Sequence, residues 1–333
     1  MDQEFLLEAH RSVNSLLKKL ALGLDRQALN KKVIALTEDL FGKRKASILL
    51  LDPSTQRLHL ESAPNLPDFY NEAIEGVKIG VGIGSCGEAA ALKKPVIVSN
   101  INEHPNWSLF LALTQRANLH ACWSVPIISS HNQVLGTFAI YSDLPSSPGE
   151  LETEILELLA SLYSVALEKF AMETQLNFYA NRDSLTHCYN RRALFSEAKK
   201  VMDGECFSGK VMSCLFVDID KFKFINDNFG HKFGDQILTT VADTLSSVSS
   251  PCSKIGRYGG DEFVIFSCFT SEEVAQNYYL ALNSKLKEVL LINEMQFSVS
   301  VGLACAKDEV NLDQLITLAD KNMYKVKQAK SKW

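Results

Sequence analysis

The chain has 333 residues, a length that favours two domains over one continuous core. Hydrophobic residues make up 46% and charged residues 22%, an ordinary globular mixture, and the formal net charge of -5 argues against a general nucleic-acid-binding surface. No stretch reaches the roughly 18 to 20 apolar residues of a membrane span, and the opening MDQEFLLEAHRSV lacks the basic and then apolar order of a signal peptide.

Eight cysteines are scattered with no CxxC pair, which fits free thiols in a reducing cytosol and speaks against structural zinc. A cytoplasmic protein without nucleic-acid or membrane partners is the expectation.

Up to Leu40, apolar residues fall at helical spacing: Leu6, Val13, Leu16, Leu17 and Leu20, then Val33, Leu36 and Leu40. The spacing predicts two helices. ASILLLD (46–52) and RLHLESA (57–63) flank DPSTQ and read as a hairpin. KPVIVSN, ACWSVPII and VLGTFAIYS follow as strands, the last two around the turn SSHNQ, with short helices between. The pattern predicts an α+β domain with an antiparallel sheet.

Within it, Gly82 to Gly87 (GIGSCG) matches the spacing GxGxxG. A dinucleotide site needs a buried strand before that motif and a full helix after it. EGVKIGV is a poor buried strand and Pro95 cuts the following helix short, so loop glycines are the better reading. Cys86 and Cys122 are either buried and inert or redox-active, and Trp107 and Trp123 either pack the core or line a pocket.

After Pro148 comes a long helical stretch with Ile155, Leu159, Leu162, Ala166, Phe170 and Leu176 at alternating spacings of three and four. Such a stripe suits either a paired-helix seam or a helix packed on its own domain. The part beyond Glu168 reads as a connector. Thereafter strands and helices alternate: KVMSCLFVDID (210–220) as a buried strand, FKFINDNFG and DQILTTVADTLSSV as helices, and KIGRYG with DEFVIFSC as a strand pair. SEEVAQNYYLALNSKLKEVL reads as a helix, FSVSVGLACA as a strand and LDQLITLADKNMYKVKQAK as the last helix. GHKFGD reads as a turn between two helices.

Two acidic groups stand out. RYGGDEF (Arg257–Phe263) sets two glycines before Asp261 and Glu262 at a hairpin, where glycine permits positive φ or close approach of another group. Asp218 and Asp220 end an apolar strand at i and i+2, on one side of it. If hairpin and strand are neighbours, the acids converge either as solvated turn residues or as a site for Mg²⁺ or Mn²⁺, which take oxygen ligands. Lys223 is within reach of a phosphate. Asn226 and Asp235 offer an amide and a carboxylate suited to a guanine edge, although Asn226 also suits a cap. Lys327, Lys330 and Lys332 close the chain, where they would also complement a helix dipole.

RYGGDEF, DIDKFKFINDNFGHKFGD and ADKNMYKVK together resemble a GGDEF diguanylate cyclase domain, and RDSLTHCYNRRALF (182–195) resembles that family's entry motif DxLTxLxNRR. The likeness covers roughly 180–333. It implies condensation of two GTP into cyclic di-GMP and two pyrophosphates by a homodimer. It also implies Mg²⁺ (or Mn²⁺) on Asp218, Asp261 and the Ile219 carbonyl, Glu262 in the catalytic acidic group, guanine on Asn226 and Asp235, and phosphates on Lys223 and Lys327.

Two departures accompany it. The family's inhibitory product site, RxxD, is replaced by Ser250 and Ser253 and is expected to be absent. The usual GRN after the terminal lysine is also missing, leaving Lys330 or Lys332 as substitute point charges. A domain that holds GTP with little turnover and regulates a partner is the alternative.

GIGSCGEAA, KPVIVSNINEHPNW, ACWSVPI and VLGTFAIYS resemble, in that order, a GAF sensor domain whose ligand the sequence leaves unknown. The expected division is a first helix (1–24), the GAF domain (25–150), a connecting helix (151–181) and the GGDEF domain (182–333). The expected fold is thus a two-domain α+β protein: a GAF-like antiparallel sheet with helices, a helical connector, and a C-terminal nucleotidyl-cyclase-like α/β sheet domain.

Overall fold

A computed structural model describes residues 2–42, 44–204, 207, 209–250, 252–289, 291–292, 295–307 and 310–330. Two compact units, Met1–Glu173 and Thr174–Trp333, divide the chain.

The first unit begins with helices α1 (Asp2–Ala21) and α2 (Arg26–Leu40). The Asp25 side chain accepts from the Ala28 N–H at 2.9 Å and caps α2. Strands β1 (Lys45–Asp52) and β2 (Arg57–Ser62) form the expected hairpin. Asp52 closes its turn by accepting from the Ser54 hydroxyl and N–H and from the Thr55 hydroxyl, at 2.7–2.8 Å. These donors hold its carboxyl down to about 2. Then come α3 (Asp68–Ile74), β3 (Val77–Lys78), α4 (Gly84–Leu92), β4 (Val96–Val98), two 3₁₀ turns (Ile101–Glu103 and Pro105–Phe110) and α5 (Leu111–Arg116). Strands β5 (Ala121–Ile128) and β6 (Val134–Ser142) lead to α6 (Glu150–Asn181).

The sheet order is β3-β2-β1-β6-β5-β4, and every neighbouring pair is antiparallel. Alternation sorts its side chains. Ile48, Phe138 and Ile140 face a core built with α1, α2 and α6, whereas Leu49, Ala139 and Tyr141 face one built with α3 and α4. GIGSCG therefore follows a two-residue edge strand and runs into the start of the short helix α4 beside an antiparallel sheet, and among the described residues no parallel βαβ unit surrounds it. Trp123 is core, with its indole N–H on the Ser146 carbonyl at 2.9 Å, while Trp107 lines a small cavity.

The long helix divides as its composition suggests. Ile155, Leu159, Leu162 and Ala166 are buried within the first unit, but Leu176 is 65% exposed.

The second unit contains β7 (Tyr189–Asn190), α7 (Arg191–Asp203), β8 (Val211–Ile219), α8 (Phe222–Phe229), α9 (His231–Ser247), β9 (Lys254–Arg257) and β10 (Glu262–Phe269). Next are α10 (Glu272–Val289), β11 (Leu291–Ile292), β12 (Met295–Gln296), β13 (Val299–Ala306) and α11 (Leu312–Lys330). The main sheet runs β13-β8-β10-β9-β7 and is antiparallel except where β7 meets β9. β8, buried along its whole length, is flanked by β10 and β13. Odd positions of β8, Leu215 to Ile219, pack with α8, α9 and α10; even positions, Met212 to Phe216, pack with α7 and α11.

The expected turn GHKFGD is shorter than six residues. Gly230 alone makes the break, at φ 84°, and α9 begins at His231. Gly230 reverses the chain between Phe229 and His231, so the residues after it are free to start a new helix. The cysteines among the described residues form no disulfide, while Cys206 lies outside those residues.

Candidate active site

Alternation along β8 carries Asp218 to the α11 face, one position past Phe216 on that side. Glu262 opens β10 directly opposite Asp218, and Ser300 stands opposite Asp218 on the other side, in β13. The Ile219 N–H donates to the Asp261 carbonyl at 3.3 Å, so the glycine turn is stitched to the end of the strand that bears the other acids. The expected convergence of Asp218, Asp261 and Glu262 is therefore present.

The turn is built by close approach rather than by positive φ. Neither Gly259 nor Gly260 has a left-handed backbone, which differs from one of the two uses expected of them. A Cβ on Gly259 would lie 2.6 Å from Glu262 Oε2, so glycine makes room for that carboxylate to fold back over the turn. Tyr258 N–H donates to the Glu262 carbonyl at 2.8 Å. Arg257 Nε and Nη2 donate to the Gly260 carbonyl at 3.0 and 2.7 Å, and Nη1 reaches the Asp183 carboxylate at 3.1 Å. Asp183 also accepts from Thr186 N–H and Oγ1 at 2.9 and 2.8 Å. One arginine thus joins the DSLT segment to the GGDEF turn.

Electrostatics follow from this crowding. Burial, and then the charges of Asp261 and Asp220, hold Asp218 above the ordinary aspartate value, although Lys327 opposes them. Burial and the charges of Asp218, Asp261 and Asp320 raise Glu262 likewise. Lys327, near the end of α11, donates to Asp218 Oδ1 at 2.5 Å. Burial disfavours its charge, yet the aspartates prevail and its ammonium is held above the usual lysine value. Asn322 fixes α11 one turn earlier by donating to the Leu303 carbonyl at 2.9 Å.

Asp220 takes a different part. It accepts from Ser298 and Ser300 hydroxyls at 2.6 Å and from Lys330 at 2.8 Å, and these donors outweigh burial to hold it below its usual value. Lys330 also donates to the Val299 carbonyl at 2.6 Å, so it ties α11 to the strand end. Lys332 lies outside the described residues.

Lys223 and Asn226 are on α8 and Asp235 is the fifth residue of α9; Lys223 and Asp235 are exposed. A Cβ on Gly234 would fall 2.0 Å from Asn226 Oδ1, so the Asn226 amide lies across the start of α9. It caps neither helix by its side chain: only its backbone carbonyl is used, by Gly230 N–H at 2.9 Å. Among the described residues, no hydrogen bond or ion pair joins Lys223, Asn226 or Asp235 to the carboxylates.

Among the described residues, no three His, Cys, Asp or Glu side chains form a metal shell by themselves. The donor set still fits a hard cation of the Mg²⁺ kind, which commonly takes one or two carboxylates and completes its shell with phosphate and water. The observation that supports the fit is that Asp218 and Glu262 stand opposite each other, both raised first by burial and then by neighbouring acids, with Lys327 opposing.

Comparison with known proteins identifies both domains. The model of the GGDEF domain, described as diguanylate cyclase, matches residues 180–332, and that of the GAF domain matches residues 23–168. The chain carries a GAF domain ahead of a GGDEF domain. It is 32% identical over 171 residues to the methyl sulfide methyltransferase-associated sensor of Methanosarcina acetivorans, covering 51% of this chain and 17% of that protein. It is 34% identical over 156 residues to diguanylate cyclase VdcA of Vibrio cholerae serotype O1, covering 44% of this chain and 43% of the other. The crystal structure of the GGDEF domain of DgcB from Caulobacter crescentus in complex with c-di-GMP is 27% identical. It covers 45% of this chain and 91% of that one, with a TM-score of 0.42. The chain spans less than half the length of the curated relatives named here.

Several members of the GGDEF site carry no role in the sequence reading. Arg257 and Asp183 stand in quoted motifs, but nothing in either motif marks them as partners. Asp320 lies in ADKNMYKVK and adds negative charge at Glu262. Ser298 and Ser300 read as strand residues, since a short hydroxyl gives no sign of its partner.

Proposed function

We propose that this GGDEF protein is a diguanylate cyclase, condensing two GTP into cyclic di-GMP with release of two pyrophosphates. The observation that carries the reading is the meeting of Asp218, Asp261 and Glu262 at one turn, two of them raised, with Lys327 against Asp218. On this reading residues 182–333 are the catalytic domain, 25–150 the sensor, 151–181 the connector and 1–24 a leading helix.

In each of the two linkages, a 3′-hydroxyl attacks the α-phosphorus of the other GTP and pyrophosphate leaves opposite it. The hydroxyl proton passes to a base as the new P–O bond forms. Asp218, Asp261 and the Ile219 carbonyl would hold Mg²⁺ or Mn²⁺. Bound there, the cation would neutralise phosphate charge and acidify the attacking hydroxyl. Glu262, held above the ordinary glutamate value by burial and then by the neighbouring acids, is suited to take a proton from the attacking hydroxyl. Lys327 is placed to move from Asp218 to a phosphate, and Lys223 to reach a second. Asn226 and Asp235 would read guanine, the amide accepting and donating and the carboxylate accepting.

A single domain presents one such set, so two GTP molecules meet only when two domains face each other. Homodimerisation is then part of the reaction. The GAF domain would set that alignment through the connector in response to a ligand.

Incubating the purified chain with GTP and Mg²⁺ and separating nucleotides by chromatography tests the reading. Cyclic di-GMP should form with wild type and be absent with Asp261→Ala. One observation favours a weaker second reading, a GTP-binding regulator: Lys330 is engaged by Asp220 and Val299 rather than left for phosphate. GTP binding without product would establish that reading.

A further inference from the structure

The first unit buries a group of thiols and hydroxyls that nucleotide chemistry does not use. Cys86, in the first turn of α4, is 7% exposed and Cys122, on β5, is fully buried. Cys122 pairs with Tyr141 across β5 and β6, and the Tyr141 hydroxyl lies 3.9 Å from Cys86 Sγ. Cys86 and Cys122 belong to one buried cluster beneath α4 and perturb each other's ionisation. Ser85 donates to the Cys122 carbonyl and accepts from the Trp107 indole, both at 3.3 Å, which pins the chain at the helix start.

Two further hydroxyls make the arrangement unusual. Ser124 Oγ and Thr137 Oγ1 are fully buried and have no hydrogen-bond partner of good geometry. Alternation along β5 and β6 sets both on the sheet face that packs with α4, where Cys86 lies and where they act on its thiol. An unpaired buried hydroxyl is costly and calls for a reason. A neutral thiol is a weak acceptor, whereas a charged acceptor binds donors strongly. The hydroxyls of Ser124, Thr137 and Tyr141 are therefore matched to an ionised Cys86. Contact with Cys122 and these donors pull the Cys86 thiol down, while burial pushes Cys122 up. Cys214, buried in the second unit without such hydroxyls, is simply driven up by burial.

Space for a small reactant adjoins the sulfur. A cavity of about 30 Å³ is lined by Cys86, Tyr70, Tyr141 and Trp107, with half-buried Val77 and Phe110 on its rim. That volume suits one or two water-sized molecules and excludes a nucleotide or a sugar.

We propose that Cys86 and Cys122 form a peroxide-reactive dithiol. The ionised Cys86 sulfur attacks one oxygen of hydrogen peroxide, the O–O bond breaks, and the departing hydroxide takes up the proton released when Cys86 ionised and leaves as water. Cys86 becomes a sulfenic acid. The Cys122 sulfur then attacks that sulfur, the S–OH bond breaks, and a second water leaves with the Cys122 proton. The two thiols lose two electrons to the peroxide and a Cys86–Cys122 disulfide links α4 to β5.

The full-length chain, treated at neutral pH with graded hydrogen peroxide, is quenched in denaturant with an alkylating agent and mapped by mass spectrometry. Cys86 and Cys122 should lose alkylation together and before the half-exposed Cys305, and an unreduced digest should contain a peptide pair joining them. Dithiothreitol should restore both. In Cys122→Ser, Cys86 should stop at a sulfenic acid trapped by dimedone. If that variant does not fold, the wild-type map still decides. Cys86 and Cys122 remaining fully alkylatable at doses that oxidise Cys305, or oxidising without the linked peptide, overturns the proposal.

Discussion

Glu262 stands directly opposite Asp218 on neighbouring strands, so two like charges occupy one cross-strand pair. Such a pair destabilises a sheet, and burial adds to the strain by raising both carboxyls. At this turn, the proposed catalytic role and the most stable sheet make opposing demands on the same two residues.

Glu262→Gln should therefore raise the melting temperature while cutting cyclic di-GMP synthesis. After discounting for solvent screening, the gain is about 0.5 kcal/mol, or about 1–2 °C. The sign follows from linkage. A carboxyl raised by folding favours the folded state below its ordinary value, 4.5 for glutamate, and this contribution is lost as pH rises through the folded value. The variant and wild type should then melt together in acid and separate towards neutrality. Differential scanning calorimetry across pH without divalent cation checks this. A variant less stable than wild type at neutral pH would contradict it.

Arg257 holds the turn from outside the acidic group. Arg257→Ala strips two hydrogen bonds from the Gly260 carbonyl and the partner from Asp183. The expected cost is about 2 kcal/mol, with cyclase activity falling further than the loss of folded protein explains. Burial raises Asp183, but Thr186 and Arg257 more than reverse it and hold it below its usual value. Its stabilisation is present above that value and is lost as pH falls through the lowered one, so the penalty should shrink in acid. Urea unfolding at two pH values measures this. Arg257→Lys should recover only part of the loss, because lysine lacks the fork that spans both acceptors.

Much of this was legible in advance, for identifiable reasons. Strands β1, β2, β5 and β6 alternate or run apolar between turn residues, and a period of two is written directly in residue type. The approach of the RYGGDEF turn to VDID hangs in sequence on one condition, that β8 and β10 be neighbours, and the pairing meets it. Gly230 was harder. HKFGD contains a glycine and an aspartate that resemble turn formers, yet tertiary packing of Phe233 and Ile237 carries the helix through them. The Asp220 group was invisible because it depends on register: Asp220 lies beyond Ile219, which pairs with Val299, and only that alignment brings Ser298 and Ser300 to it.

The loss of RxxD leads to a third expectation. Ser250 and Ser253 hydroxyls lie 2.9 Å apart, and Ser253 contacts the buried Ser267 hydroxyl at 2.7 Å. These groups are satisfied by one another and offer no charge to a dinucleotide. Adding cyclic di-GMP to initial-rate assays should leave the rate nearly unchanged apart from competition with GTP. Non-competitive inhibition, or tight binding that survives Asp261→Ala, would place a product site elsewhere.

Gly234 gives the sharpest separation of binding from folding. A methyl group there would collide with Asn226 Oδ1 at 2.0 Å. The side chain amide is the softer partner, so Gly234→Ala should turn Asn226 aside rather than unwind α9. Alanine is also the better helix former by about 1 kcal/mol, which offsets the crowding in the melting temperature. If Asn226 reads guanine, one lost hydrogen bond weakens GTP by about tenfold, and Asn226→Ala should produce the same shift without the crowding. Isothermal titration of both variants with a non-hydrolysable GTP analogue distinguishes the cases. Equal affinity in all three proteins would remove Asn226 from the nucleotide site, whereas a loss in Gly234→Ala alone would trace the effect to a displaced α9.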